Sequence, residues 1–225
     1  MDAPALLARF RLEADDRQQP YLWSDEEVLS YLNDAQDMFC REQGGIADSS
    51  SAVTRLACQA GDEFVEISPR ILKLRYAARA DGYRLELLNF EDLEARQAVD
   101  DYGYRAGLRL DNTPGEIKAL VLGMEANRVR LIHIPLHDQE LRLIVYRMPL
   151  QPVTADQPNL EIDEHHHLHL IDWMRHLAHL KQDAETYDRG RAQEFGDRFL
   201  AYCRLAREER ERREHKYRTV AYGGY

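Results

Sequence analysis

The spacing of apolar residues changes period twice along the chain. Val28, Leu32, Ala35 and Phe39 recur every three or four positions, one face of a helix, and Tyr31 and Met38 widen the stripe. Ser24-Asp25-Glu26-Glu27 stands just upstream with the form of a capping box: the Ser24 hydroxyl accepts from the Glu27 N–H, and the Glu27 carboxylate reaches back. Trp23 and Val28 occupy the two positions of a hydrophobic staple. Gly44-Gly45 offer the left-handed conformation at which helices commonly end. A shorter helix is expected over 5–14, with Leu6, Leu7 and Phe10 on one side.

After Gly45 the period falls to two. Residues 47–51 are small and polar, and Val53, Leu56 and 64–67 then suggest short strands around a Gly61-Asp62 turn. Leu72, Leu74 and Tyr76 alternate with Lys73 and Arg75 as in a half-buried strand. Asp81-Gly82 is a hairpin signal, since a type I′ turn needs positive φ at both central positions, with Tyr83, Leu85 and Leu87 as the returning arm. One or two helical turns are expected over 90–98. Strands are expected over 117–122 and 129–134, joined through Glu125-Ala126-Asn127, and over 141–148, ending at Pro149.

Residues 151–159 carry two prolines among polar residues and read as a connector. Helical spacing then returns. Asp163 is placed to cap a helix running to about 182, burying Leu168, Ile171, Met174, Leu177 and Ala178 with Trp173 nearby. After a break at 183–188, a last helix carries the stripe Ala192, Phe195, Phe199, Tyr202, Cys203 and Ala206. Residues 207–216 are nearly all Arg and Glu, with Glu208–Arg212 and Glu209–Arg213 in the favourable i,i+4 order, so this stretch is expected to project from the bundle. The end, 217–225, has three tyrosines and two glycines without helical spacing and reads as an extended tail. Three rings with nothing local to pack against point to docking on a neighbour.

Composition narrows the function classes. With 225 residues the chain can bury a sizeable core, and no run of about 18 apolar residues suggests a membrane span. The start, Met1-Asp2-Ala3-Pro4, lacks the basic-then-apolar run of a secretory signal. Lys+Arg total 30 against 40 for Asp+Glu, a formal charge of -10 that disfavours a general nucleic-acid binder. Cys40, Cys58 and Cys203 are odd in number and form no CxxC pair, which argues against a disulfide framework or a thiolate zinc site; they are expected to behave as buried small hydrophobes.

Candidate chemistry is sparse. His165-His166-His167-Leu168-His169, with His176 and His179 beyond, places His165 and His169 at i,i+4. On a helix, however, consecutive side chains point about 100° apart, so the run cannot converge as a whole. Histidines that cap or pack are the expectation, for His133 and His137 as well, with no metal and no cofactor; a metal-binding protein or enzyme using the His165–His169 cluster is the alternative. No GxSxG, P-loop or GxGxxG occurs. Asp15-Asp16, Asp100-Asp101 and the acids Glu161, Asp163 and Glu164 fall in loops or helix starts, where solvent or the helix dipole stabilises them. No catalytic residue is expected.

Several of these segments together resemble the head-to-tail adaptor (head-completion or connector) proteins of tailed phages. Trp23-Ser24-Asp25-Glu26-Glu27-Val28-Leu29-Ser30-Tyr31-Leu32-Asn33-Asp34-Ala35-Gln36 resembles their first helix. Leu141-Arg142-Leu143-Ile144-Val145-Tyr146-Arg147-Met148-Pro149 resembles the last strand of their β module, and His167-Leu168-His169-Leu170-Ile171-Asp172-Trp173 the helix that follows. Tyr187-Asp188, Arg191-Ala192, Phe195 and Arg198-Phe199 match the opening of their closing helix, and Tyr222-Gly223-Gly224 their C-terminal arm. Residues 96–115 have no counterpart in the pattern.

The resemblance implies a structural virion protein at the head-tail junction, assembled in the host cytoplasm. Such proteins form a homo-oligomeric ring, typically of twelve copies, between the portal protein and the tail tube or nozzle. The ring closes the DNA exit channel after packaging and offers a tail attachment surface, and DNA passes through it without specific binding. Twelve copies at -10 each carry a formal charge of -120. Such a charge repels phosphates within the screening length of about 8–10 Å. The portal-binding role falls on Tyr217, Arg218, Val220, Tyr222, Gly223, Gly224 and Tyr225. A non-viral scaffold with a different partner is a further alternative. The expected fold is α+β: an antiparallel bundle of an N-terminal and two C-terminal helices (1–50 and 160–216), an inserted antiparallel β-rich module (51–150) and a docking arm (217–225).

Overall fold

The chain is α+β in a computed structural model that describes residues 1–92, 110, 112–182 and 186–214. It divides into a helical unit, Met1–Gly44 with Gln151–Tyr225, and a β unit, Gly45–Leu150.

Helix α1, Ala3–Glu13, starts where the Asp2 carboxylate accepts from the Ala5 N–H at 3.1 Å, with Pro4 in the first turn where it removes no needed donor. Leu6 and Phe10 are fully buried and Leu7 is half-buried, as the one-sided pattern implies. Helix α2, Asp25–Gln43, opens with the expected capping box: Glu27 N–H to Ser24 Oγ at 3.2 Å and Ser24 N–H to Glu27 Oε2 at 2.8 Å. It closes at Gly44 with φ +97°, a conformation that a Cβ would strain. Val28, Leu32, Ala35, Phe39 and Cys40 form its buried face.

The loop between α1 and α2 folds around a charge. Arg11, buried on α1, donates to Asp16 Oδ2 at 2.6 Å, to the Trp23 carbonyl at 3.0 Å and to Asp25 Oδ1 at 2.5 Å, and stacks over Tyr21. Asp16 also accepts from the Leu22 N–H at 2.9 Å. The expectation that Asp15-Asp16 is a solvated acidic pair therefore fails at Asp16, which is buried because Arg11 neutralises it. Trp23, locked by this loop, donates from Nε1 to the Ala178 carbonyl at 3.2 Å.

Helix α3, His167–Leu180, does not begin at Asp163. A 3₁₀ turn, Glu164–His166, precedes it, and the Asp163 side chain makes no capping bond. The buried face of α3 is His167, Leu170, Ile171, Met174, Ala178 and His179. Leu168 is 52% exposed and Leu177 only half-buried, so the face is rotated from the one expected. Counting apolar residues missed it because two of the inward positions are histidines with backbone partners. Helix α4, Arg189–Glu214, buries Ala192, Phe195, Gly196, Phe199, Cys203 and Ala206, with Tyr202 half-buried, close to the expected stripe. Within this unit α3 packs along both α2 and α4, and α1 lies on α2 and α3.

The β unit is two four-stranded sheets. In the first, β8, Gln139–Arg147, runs through the centre with β4, Ile71–Arg79, along one edge. Along the other edge lie β1, Ile46–Asp48, against its C-terminal half and β2, Arg55–Cys58, against its N-terminal half. All three pairings are antiparallel. Strand β1 was not expected, since its residues look like a polar linker; Val53 stands in a 3₁₀ turn, Ala52–Thr54, rather than a strand. The β4 alternation is interrupted by register shifts between Ile71 and Lys73 and between Leu74 and Tyr76, which leave Leu72 exposed.

The second sheet has the order β3-β7-β6-β5, with β3 Phe64–Glu66, β7 Arg128–Ile132, β6 Ala119–Glu125 and β5 Glu86–Asn89. The β6–β7 hairpin turns at Asn127, as expected. The segments on either side of Gly61-Asp62 do not pair with each other, because β2 joins β8 and β3 joins β7. Of Asp81-Gly82 only Gly82 takes positive φ, +86°, so the turn is not type I′. After one bridge, Ala78 to Arg84, the returning arm leaves β4, and β5 pairs parallel with β6, in a module expected to be antiparallel throughout. A helical turn opens at Phe90; 93–98 lie outside the described residues.

The sheets share a core of Leu56, Leu74, Ala77, Leu141, Leu143 and Val145 from the first and Val65, Leu120, Val129 and Leu131 from the second. The other face of the second sheet buries Leu88, Ala119, Val121 and Ile132, with Phe90 and Leu110 packed against them.

Candidate functional site

The arm residues Tyr217, Arg218, Val220, Tyr222, Gly223, Gly224 and Tyr225 lie outside the described residues, so the described site begins at their root, the end of α4. The segment expected to project from 207 onward is held one turn longer. Arg210 Nη1 donates to Gln43 Oε1 at 3.1 Å, and its guanidinium lies so close to Gly44 that an added Cβ would meet Nη2 at 2.3 Å. A cation at the C-terminal end of α2 also meets the negative end of that helix dipole. The exposed side of α4 carries ion pairs Arg207–Glu211 at 3.1 Å and Arg212–Glu208 at 3.3 Å, while the half-buried Arg210 also reaches Glu214 at 3.9 Å. Each adds a few tenths of a kcal/mol of helicity, roughly 0.2–0.5.

The histidines separate into packed residues and one converging pair. Both ring nitrogens of His167 face backbone carbonyls, Met1 O at 2.8 Å and Ile162 O at 3.0 Å. His176 Nδ1 meets the Ala192 carbonyl at 2.8 Å and its ring stacks on Trp173. His179 meets the Thr186 carbonyl at 3.3 Å between the rings of Trp23 and Phe195. His169 lies flat on Tyr202 with centroids 3.4 Å apart, and burial lowers its pKa. His169, His176 and His179 pack against α4, and His167 ties α3 to the segments at Met1 and Ile162, so these four are packed histidines, as expected. His133, with φ +70°, sits against Gly115, and His137 is exposed.

His166 is different. Its Nδ1 is 2.8 Å from the Tyr202 hydroxyl and its ring lies 4.6 Å from that of Phe39. Burial, helped by the neighbouring His165, pushes its pKa down to about 4, so the imidazole is neutral at pH 7. His165 leans on it at 3.8 Å, and Asp163, His165 and His166 bring one ligand-capable atom each within 4.8 Å of one another. His169 is not in that group. The i,i+4 reading of His165 and His169 assumed one α-helix, whereas His165 stands in the preceding 3₁₀ turn. Asp163 was read as a helix cap, which concealed it.

Other reactive groups are held inert. The thiols of Cys58 and Cys203 are pushed up to about 12 by burial, and all three cysteines are buried. Glu164 pairs with the Met1 ammonium at 2.7 Å, and Glu161 accepts from the Gln151 N–H at 3.1 Å. Asp100-Asp101 lies outside the described residues.

Within the helical unit, Arg11, His176, His179 and Arg210 thus each join one helix or loop to another. No helix among the described residues is long and apolar enough to cross a membrane. The chain belongs to the SU10 adaptor protein family, whose sequence model matches residues 1–221. No curated protein matches it. The protein is accordingly a phage structural adaptor, a virion component that interacts with portal and tail proteins.

Proposed function

We propose that copies of this protein form a ring, of twelve subunits by analogy with the adaptors it resembles, between portal and tail. There it closes the DNA exit channel after packaging and presents the surface to which the tail attaches. The family match over 1–221 carries this reading. Residues 217–225, Tyr217, Arg218, Val220, Tyr222, Gly223, Gly224 and Tyr225, dock on the portal, with the charged end of α4 as their spacer. A protein of charge -10 that lines a channel lets DNA slide without holding it. The same charge keeps free subunits apart until the portal supplies a template. The protein acts by assembly and not as an enzyme.

Portal pull-down with the full-length chain and with a chain lacking 217–225 tests the arm. Loss of capture in the truncated chain, with its far-UV circular dichroism unchanged, is expected; equal capture overturns the arm's role. Sedimentation tests the templating. Monomers at low salt that become rings on addition of portal are expected, and stable rings without portal contradict it.

A further inference from the structure

We propose that Asp163, His165 and His166 form a binding site for a first-row divalent transition ion, zinc foremost. The local backbone produces the convergence. In a 3₁₀ turn, side chains three positions apart eclipse. Asp163 precedes the turn Glu164–His166, its carbonyl accepting from the His166 N–H at 3.0 Å, so the carboxylate and the His166 ring share one side. His165 completes the set because its ring leans onto His166.

The ligand-capable atoms lie within 4.8 Å of one another. A tetrahedral ion bonded at about 2.0–2.1 Å needs them about 3.4 Å apart. Asp163 and His165 are both exposed, so their side chains have room to rotate toward His166. His166 is the fixed member. The Tyr202 hydroxyl holds Nδ1 and the Phe39 ring supports the imidazole, which leaves Nε2 to face the ion. A hydrogen bond on the far nitrogen is the usual way a metal-binding imidazole is oriented, and it makes Tyr202 a positioning residue.

Two imidazoles and one carboxylate suit zinc and its neighbours, whereas calcium and magnesium take oxygen ligands. Three protein ligands leave the fourth position to water or to a donor from another molecule. The site is complete within one chain and does not depend on the ring or on the arm.

The test uses the full chain without an affinity tag, stripped by chelator and dialysed, then titrated at pH 7.5 with zinc by calorimetry and with cobalt by visible absorption. One ion per chain is expected. Asp163→Ala and His165→Ala, both surface changes, should each weaken binding at least tenfold with thermal unfolding unchanged, while His169→Ala changes it less than threefold. Absence of saturable one-to-one binding overturns the proposal, as does equal affinity in the Asp163 and His165 variants. Loss in His169→Ala with retention in Asp163→Ala also overturns it, because it moves the ion to the i,i+4 pair.

Discussion

Asp48→Asn preserves the shape of a buried side chain and deletes its charge, and the β unit sets the size of the effect. Asp48 Oδ1 accepts from the Ser50 N–H at 2.9 Å and the Ser51 N–H at 3.1 Å. Oδ2 accepts from the Ser51 hydroxyl at 2.5 Å and from Arg147 Nε on the central strand. Burial pushes the Asp48 pKa up, but the bonds from Ser51, Ser50 and Arg147 outweigh it and hold the carboxyl well below its ordinary 3.8. In the Asn variant one oxygen survives for the serine N–H groups, and the amide nitrogen faces two donors. The buried Arg147 loses this counter-charge. Breaking a buried pair from one side costs about 3–5 kcal/mol, and the retained oxygen favours the lower figure, about 3 kcal/mol.

Urea unfolding of the full chain at pH 7, followed by far-UV circular dichroism, should therefore show a midpoint lower by about 1–2 M. Adding Arg147→Met should restore much of the loss, because an apolar side chain needs no counter-charge. The pH dependence follows from the sign of the shift. The folded pKa lies below the unfolded one, so the contribution is complete above the unfolded value of 3.8 and is lost as pH falls below it toward the folded value. Wild type and Asp48→Asn should converge as the solution is acidified. A loss under about 1 kcal/mol at pH 7, or a gap that widens in acid, refutes the reasoning.

Three further outcomes are expected. Ser24→Ala removes one half of the α2 capping box and should cost about 1 kcal/mol in thermal unfolding, with no change in the β unit's amide exchange. Gly196→Ala places a Cβ 2.8 Å from His176 Nδ1, the atom that meets the Ala192 carbonyl, so α3 and α4 must part. A destabilisation of about 1–3 kcal/mol with altered tryptophan emission from the neighbouring Trp173 is expected, and a stabilised variant would show that helix propensity wins instead. Cys40, Cys58 and Cys203 should ignore an aromatic disulfide reagent at pH 8 in the native protein and all react in 6 M guanidinium; fast native labelling would contradict their burial.

Features that rest on neighbours in sequence were legible before the fold was known. The α2 limits are one case, since Ser24, Glu27 and Gly44 act within a turn of the backbone they cap. The α4 stripe is another, its aromatic residues repeating at helical spacing. The β6–β7 hairpin and the α+β class follow from the same local periodicities. The family pattern was legible too, being a pattern of packing residues. Partners that no periodicity marks, some distant in sequence and some only a few residues away, decided the rest. Strand β1 exists because the C-terminal half of β8 offers its free edge to Ile46–Asp48, and no local propensity marks it. The parallel β5 forms because, beyond the single Ala78–Arg84 bridge to β4, Glu86–Asn89 finds its backbone partners on β6. Asp16 is buried only because Arg11, on another element, is buried beside it. His167 and His179 could face inward only because backbone carbonyls wait there, and Asp163 meets His166 only because the chain tightens into a 3₁₀ turn before α3 begins. A polar side chain's burial depends on the partner that satisfies it, and where that partner lies far along the chain, packing alone brings the two together.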